Sequence, residues 1–253
     1  MSVALDSLPQ SIAHLRTIAT PVADHRVMPL GLREIDGRLN GGGLRAGALH
    51  EFAGASATLF DDAAATLFLA GIAAREAAQS TGPVVWASCR QDLYAPGLEQ
   101  VGLTSASVIY AQPREDAALL AVIEDAVRDG TPSCVVADVT RVSMVATRRL
   151  QLVASDADIP VLMLRRRRAR EQDPLGEPSA AWTRWRIASA PSEQLGVAGV
   201  GRARWRVELA RQRTGEGFSL VVEGCDETGR LGLPAALGHR TAKTAGSLHF
   251  AAA

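Results

Sequence analysis

The sequence predicts an α/β domain with a mainly parallel β-sheet, helices on both faces and an antiparallel hairpin extension at the C-terminal edge. Up to about residue 164, short apolar runs with the length of buried strands alternate with helix-length segments. Beyond that point the polarity alternates with a period of two, which is typical of strands that have one solvated face. A Thr-Gly-Glu-Gly turn at 214–217 separates the last two of these strands.

The elements follow one another at short intervals. A helix is predicted from about Leu30 to the glycine cluster 41–43, where glycine allows a C-cap and a turn. A strand at 48–53 leads to Gly54, and an Ala-rich helix follows at 62–79. The other predicted elements are strands at 83–87 and 108–111, a helix at 116–128, a strand at 133–137, a helix at 144–154, and strands at 161–164, 182–188, 204–209 and 218–223.

A chain of 253 residues suits one large domain with small extensions. We divide it into an N-terminal helical appendage (1–26), a core (27–233) and an Ala/Gly-rich, flexible tail (234–253). Ile12, Leu15 and Ile18 lie on one face of the appendage helix. This face packs either on its own domain or on another protein.

Composition excludes several classes of protein. The 27 basic and 27 acidic residues give no net charge, so overall charge provides no argument for nucleic-acid binding. Three widely spaced cysteines form neither a disulfide framework nor a zinc-ligand pattern, so we expect no metal. Because the sequence shows no signal peptide and no apolar stretch of about 20 residues, we expect a cytoplasmic protein.

The loop after the first predicted strand resembles a phosphate-binding loop whose chemistry is missing. A P-loop pattern that begins at Gly54 requires Gly, Lys and Ser/Thr where this chain has Leu59, Phe60 and Asp61. The chain has one lysine, Lys243, near its C-terminus. We expect Asp61 to repel phosphate oxygens and the two apolar side chains to block close approach of the backbone. The sequence therefore predicts a protein without a nucleotide cofactor that acts by binding and not as an enzyme.

The order of motifs resembles the RecA-type recombinase core. The resemblance rests on 29–36, on the Gly-Gly-Gly-Leu segment 41–44, on 47–54 and on 135–138, which is similar to a Walker B strand. It implies that Asp138 is a vestigial Walker B residue and that Arg90 stands where the family has a catalytic Glu. An arginine cannot act as a base at neutral pH. The short connection 139–143 leaves no room for the family's first DNA-binding loop.

Within this superfamily the chain resembles the ImuA family of inducible-mutagenesis accessory proteins. The segments that carry this resemblance are 41–44, 89–98, 165–168 and 182–186. It implies a role in the SOS response to DNA damage, in DNA repair by translesion synthesis. The implied partners are an ImuB-like Y-family polymerase homologue and an error-prone C-family DNA polymerase. RecA recombinase and single-stranded DNA are further candidates, and binding them would bring the protein to the nucleoid.

A basic segment is the main candidate for such contacts. Residues 165–213 contain twelve arginines and five acids, and the first arginines take the place of the second recombinase DNA-binding loop. The alternatives are contact with DNA or a partner, or a solvated edge with the tryptophans in the core. Period-two alternation places Arg184 and Arg186 on the face of Trp182, opposite Trp185. The candidates are Arg165, Arg166, Arg167, Arg168, Arg170, Trp182, Arg184, Trp185 and Arg186.

Two other functions remain open at this point. One is a division inhibitor of the SulA type, which is also RecA-like and unable to bind nucleotide and which acts on the tubulin-like division protein. The other is an ATPase with an unusual phosphate loop, against which the missing lysine argues.

Overall fold

A computed structural model describes residues 25–167, 172–192 and 199–234, which fold around one eight-stranded sheet. In chain order the elements are β1 (Val27–Met28), α1 (Arg33–Asp36), β2 (Leu44–Arg45), β3 (Leu49–Gly54), α2 (Leu59–Gln79), β4 (Val84–Ser88), α3 (Ala95–Glu99), a 3₁₀ turn (Ser105–Ser107), β5 (Val108–Ala111), α4 (Asp116–Asp129), β6 (Cys134–Val139), α5 (Met144–Ala157), β7 (Val161–Arg165), β8 (Thr183–Ala190), β9 (Arg204–Gln212) and β10 (Phe218–Glu223).

The sheet order is β10-β9-β8-β3-β7-β6-β4-β5. Every neighbouring pair from β8 to β5 is parallel, whereas β9 pairs antiparallel with both β8 and β10. The short strands β1 and β2 form a separate antiparallel pair. The predicted fold class, a mainly parallel sheet with an antiparallel extension at its C-terminal edge, is confirmed.

Helices cover both faces of the sheet. On one face, α2 buries Phe68 against Phe52 and Trp185, and on the other face α4 and α5 bury Leu119 and Leu150. All six residues of β3 are buried, as expected for a central strand of a parallel sheet that is covered on both faces. Burial of both faces keeps the strand ends in a fixed relative position.

Several helices differ from the prediction at their ends, and α5 continues to Ala157, three residues beyond its predicted end. Helix α2 begins three residues early, because the Thr58 hydroxyl accepts a hydrogen bond from the Asp61 amide and caps the first turn. The helix predicted from Leu30 is only the single turn α1. Gly41 and Gly42 then adopt φ of +88° and +82°, a conformation that suits turns and interrupts any helix.

Several sequence predictions fall outside the described residues. The appendage helix with Ile12, Leu15 and Ile18, the tail from residue 235 onward, and both Arg168 and Arg170 belong to these parts of the chain. The division into appendage, core and tail therefore stays a prediction. No helix in the described ranges is long and apolar enough to cross a membrane.

Candidate functional site

The candidate site lies at the carboxyl ends of the parallel strands, where ligands bind in open α/β sheets. Gly54 ends β3, and Asp138 is the second-last residue of β6. Strand β7, which lies between them, ends at Arg165 and continues into Arg166 and Arg167. The parallel register therefore brings the vestigial loop, the Walker B-like carboxylate and the first arginines of the basic segment to one edge.

Asp61 fastens the vestigial loop to the neighbouring strand. One carboxylate oxygen accepts a hydrogen bond from the Ser189 amide (2.8 Å), and the other accepts one from the Ser56 hydroxyl (2.5 Å). The loop is also held by the Ala55 amide, which donates to the Ile187 carbonyl over 2.8 Å. Asp61 thus makes internal contacts at the position where a P-loop has its Ser/Thr.

Leu59 and Phe60 correct one sequence expectation. Their exposed fractions are 82% and 76%, so neither side chain fills the loop. Because Thr58 starts α2 early, both residues belong to its first turn and lie on its outer surface. The loop that the sequence predicts at these two positions is therefore wrong, whereas their expected effect on approach to the backbone stays a prediction.

A guanidinium group covers the Walker B-like carboxylate. The Nε and Nη2 atoms of Arg166 donate to the two oxygens of Asp138 over 2.9 and 3.0 Å. Nη2 also reaches the Thr66 hydroxyl (3.3 Å), and Nη1 lies 3.7 Å from the Asp62 carboxylate. Burial raises the pKa of Asp62, and Arg166 opposes this shift. Both oxygens of Asp138 therefore have a cationic partner from the chain itself.

Arg167 contacts the loop that precedes α2. Its Nη2 atom donates to the carbonyls of Gly54 (3.1 Å) and Ala55 (2.8 Å), while Nη1 donates to the carbonyl of Gln172 (2.6 Å). This side chain ties the vestigial loop to the segment that follows β7.

Arg90, which the resemblance to recombinases aligns with their catalytic Glu, pairs with a nearby carboxylate. Its guanidinium binds Asp92, which raises the pKa of Arg90 and lowers that of Asp92. Its amide donates to the Ser88 hydroxyl (3.0 Å), which in turn lies 3.4 Å from Asp138. Arg90 also lines a cavity of about 260 Å³ together with Leu59, Asp62 and Arg166.

Ion pairs within the chain dominate this arrangement. The charged groups around Asp138 are paired with one another, and Arg90 cannot serve as a base. No group of three or more His, Cys, Asp or Glu residues in the described ranges is arranged to hold a metal ion. The site can hold the strand ends together, and its outer surface is available for contacts with other molecules.

Three of the predicted DNA-binding arginines have structural partners instead. Arg165 and Arg184 flank the fully buried Glu51, to which they donate over 2.9 and 2.7 Å, and Ser179 donates to the same carboxylate over 2.8 Å. Together with Arg166, they are at least nine-tenths buried. The interpretation of these three residues as DNA contacts is therefore wrong, since exposing them would break buried ion pairs.

Of the remaining described candidates, Arg167, Arg186 and Trp182 are partly exposed, whereas Trp185 is buried. Arg186 pairs with Asp173 (2.7 Å) and Glu208 (2.9 Å) and is 28% exposed. Trp185 is fully buried and lies on the opposite side of β8 from Arg186, so it cannot stack on a base. Trp182 is partly exposed at the other end of the strand.

Sequence reasoning missed the arginines that surround Trp182. The guanidinium carbons of Arg45 and Arg213 lie 4.5 and 4.9 Å from the centre of its ring. Arg148 and Arg211 line the same surface groove, whose volume is about 420 Å³. Strand β2, helix α5 and the end of β9 contribute these residues, so no local charge run reveals the cluster. The period-two alternation that placed Trp182 and Trp185 on opposite faces of the strand was the one usable signal.

Comparison with known proteins gives relatives at the levels of sequence and fold. The chain is 37% identical over 202 residues to Protein ImuA of Caulobacter vibrioides strain NA1000 / CB15N, covering 78% of this chain and 83% of that protein. The same values hold for Protein ImuA of strain ATCC 19089 / CIP 103742 / CB 15. A crystal structure of the RadB recombinase matches with a TM-score of 0.56 and 17% identity, over 81% of this chain and 98% of that one. No family model matches the chain.

Proposed function

The chain belongs to the ImuA family, and we propose that it acts as a non-catalytic RecA-like adaptor in DNA-damage-induced translesion synthesis. It works through binding, beside an ImuB-like Y-family polymerase homologue and an error-prone C-family DNA polymerase that carries out synthesis. RecA recombinase and single-stranded DNA are further candidate partners. The proposed setting is the cytoplasm, at the nucleoid when the partners are engaged.

The main support for proposing that the protein is not a catalyst is the pairing of Arg166 with Asp138. Phosphoryl transfer depends on a lysine, a Mg²⁺ ion held by carboxylate and hydroxyl groups, and a group that positions the attacking nucleophile. Here Phe60 replaces the lysine and Arg90 replaces the base, while Arg166 neutralises the carboxylate. A Mg-nucleotide would have to displace a buried, bidentate ion pair, which is unfavourable.

The proposal that the protein is an adaptor rests on its family and on its fold. A RecA-like core that does not turn over nucleotide keeps a rigid sheet edge and helical faces for recognition. Its surface also contains groups that the core does not use, among them Leu59, Phe60 and the groove around Trp182. Such surfaces favour a protein that brings other proteins together.

A tagged pull-down from DNA-damaged, nuclease-treated cells tests the adaptor function. We expect recovery of a Y-family-like subunit together with a C-family polymerase, and a lower induced mutation frequency in a deletion strain. Recovery of the tubulin-like division protein without either polymerase, and filamentation on overexpression, would replace the proposal with division inhibition.

Complementation of the deletion strain separately tests whether the protein acts without catalysis. The double variant Asp138→Asn, Arg166→Gln removes both charges of the buried pair and any capacity to hold Mg²⁺ there. We expect it to restore induced mutagenesis when it accumulates to the wild-type level. Loss of mutagenesis in a folded, equally abundant double variant would indicate that Asp138 has a catalytic role.

A further inference from the structure

We propose that the groove around Trp182 binds an acidic peptide segment, with apolar side chains, from a partner protein. We call it the arginine groove; it is lined by Arg45, Arg148, Arg211 and Arg213, together with Met144, Leu152 and Trp182. The guanidinium groups of Arg45 and Arg213 lie over the Trp182 ring. The inference rests on the proposed function and deepens it, because it assigns the chemistry of one partner contact.

The cations of the groove differ from the other arginines of the basic segment. Arg165, Arg166 and Arg184 each pair with a buried carboxylate. The described residues that line the arginine groove, in contrast, include no Asp or Glu. Arg211 donates to the Ser179 carbonyl (3.5 Å), and Arg213 lies over the Trp182 ring.

Arg45 lines the groove and contacts an uncharged oxygen and an imidazole nitrogen. It contacts the His25 ring and lies 3.3 Å from the Ser155 hydroxyl. Burial and the positive charge of Arg213 lower the pKa of Arg45, although Asp158 opposes this. Burial is the larger of these two causes, and an anionic ligand in the groove would offset the smaller one, the repulsion between Arg45 and Arg213.

The forked guanidinium groups suit carboxylate or phosphate ligands equally well. The surrounding surface distinguishes between them. Met144 and Leu152 are 46% and 57% exposed on the neighbouring face of α5, and they offer contacts that an apolar side chain can use but a phosphate backbone cannot. Two arginines already cover the ring of Trp182, the one aromatic residue that lines the groove in the described ranges, so it is not free to stack on a base. A peptide that combines carboxylates and apolar side chains satisfies both parts of the surface.

Fluorescence anisotropy with the purified full-length chain tests the proposal. The probe is a short fluorescein-labelled peptide of alternating Glu and Leu pairs, compared with polyglutamate and a labelled oligothymidine of the same length. We expect the Glu/Leu peptide to bind more tightly than either comparison ligand. Tighter binding of the oligothymidine, or absence of peptide binding, would overturn the proposal.

Matched variants locate the binding. The groove variant Arg148→Ser, Arg211→Ser, Arg213→Ser changes three exposed arginines, so the fold should not be disturbed. We expect it to weaken peptide binding about 10-fold or more, as loss of several charged contacts does. The control variant, which removes the same charge from exposed arginines elsewhere, is Arg33→Ser, Arg114→Ser, Arg206→Ser.

The control variant should bind the peptide as tightly as the wild type does. An equal loss of affinity in both variants would mean that the peptide responds only to the overall charge of the protein. The pair Met144→Ser, Leu152→Ser should weaken the Glu/Leu peptide but not polyglutamate. Since these measurements use purified protein, they fail or succeed independently of the pull-down and mutation frequencies that test the proposed function.

Discussion

Arg166 holds Asp138 through two hydrogen bonds of 2.9 and 3.0 Å, with both side chains buried. A carboxylate at this strand end would otherwise be free to hold a metal ion. The chain provides the compensating cation itself, from the residue directly after the neighbouring strand β7. The pair thus joins the ends of β6 and β7 and compensates the buried charge of Asp138.

Removing one partner of this pair should destabilise the protein. We expect Arg166→Ala to lower the free energy of unfolding by about 3–5 kcal/mol, because it leaves Asp138 buried without a countercharge. The double variant Arg166→Met, Asp138→Leu should recover most of this loss. Urea unfolding monitored by circular dichroism provides the measurement. Equal destabilisation by the single and double variants would contradict the assignment of the cost to an unpaired charge.

Restoring two P-loop residues should not restore nucleotide binding. In Phe60→Lys, Asp61→Thr the lysine and hydroxyl return, but Arg166 still covers Asp138. We expect neither this variant nor the wild type to bind a fluorescent ATP analogue in equilibrium dialysis with Mg²⁺. Mg²⁺-dependent binding by the wild type would show that the loop still accepts phosphate.

The buried Glu51 should contribute far more to the stability of the fold than an exposed ion pair does. Glu51→Gln leaves Arg184 with a neutral partner and Arg165 with Glu177 as its remaining carboxylate, and we expect a loss of about 3–5 kcal/mol. In Arg186→Ser the lost pairs are partly solvated, so the expected change is within about 1 kcal/mol. Similar unfolding midpoints for the two variants would contradict this difference.

His50 should make the fold sensitive to mild acid. Its ring is fully buried between the Thr183 hydroxyl (2.7 Å) and the Arg45 carbonyl (2.8 Å), and burial lowers its pKa from 6.5 to about 4. Between these values the unfolded chain binds a proton that the folded chain excludes, so stability falls as the pH drops from about 6.5 toward 4.

Below about pH 4, the loss of unfolding free energy caused by His50 reaches its full size, on the order of 3 kcal/mol. Unfolding curves between pH 7 and pH 4 measure it, and His50→Gln serves as the comparison because glutamine does not titrate. We expect a shallower decline in the variant. Parallel pH profiles would mean that other groups cause the acid sensitivity.

The two tryptophans near the start of β8 should have very different effects on stability. Trp185 packs against Phe52 and Phe218, with ring centres 6.4 and 6.0 Å away. Trp185→Ala should therefore cost about 3–5 kcal/mol. Trp182→Ala removes contacts with arginines at the surface, and we expect a loss of about 1 kcal/mol. Thermal unfolding distinguishes the two, and a larger loss for Trp182 would be inconsistent with its partial exposure.

The sequence predicts the strands well because each buried strand has a local signature. The run that forms β6 is apolar up to Asp138, and α4 was predicted to within one residue at its C-terminal end. The early start of α2 was also readable, since Thr58 followed by Asp61 three residues later resembles an N-terminal capping pattern. That signal would have placed Leu59 and Phe60 on a helix and not inside a loop.

The roles of the arginines could not be predicted in this way. Arg165 pairs with Glu51, which is 114 residues away in sequence, and Arg166 pairs with Asp138, which is 28 residues away. A charge run looks the same in sequence whether its members are solvated or buried, because the deciding partner lies on another strand. The arginine groove could not be predicted from sequence for the same reason, because its arginines come from separate elements.

The sequence by itself determined the fold class, the order of its strands and helices, and the loss of the phosphate-binding lysine, because hydrophobic periodicity and residue identity are local properties. Only the tertiary structure decided which arginines are internal and which face solvent. Burying a guanidinium is tolerated where a carboxylate from another strand compensates its charge, as Glu51 and Asp138 do. Where the fold brings cations together without such a partner, around Trp182, they remain at the surface and available to a ligand.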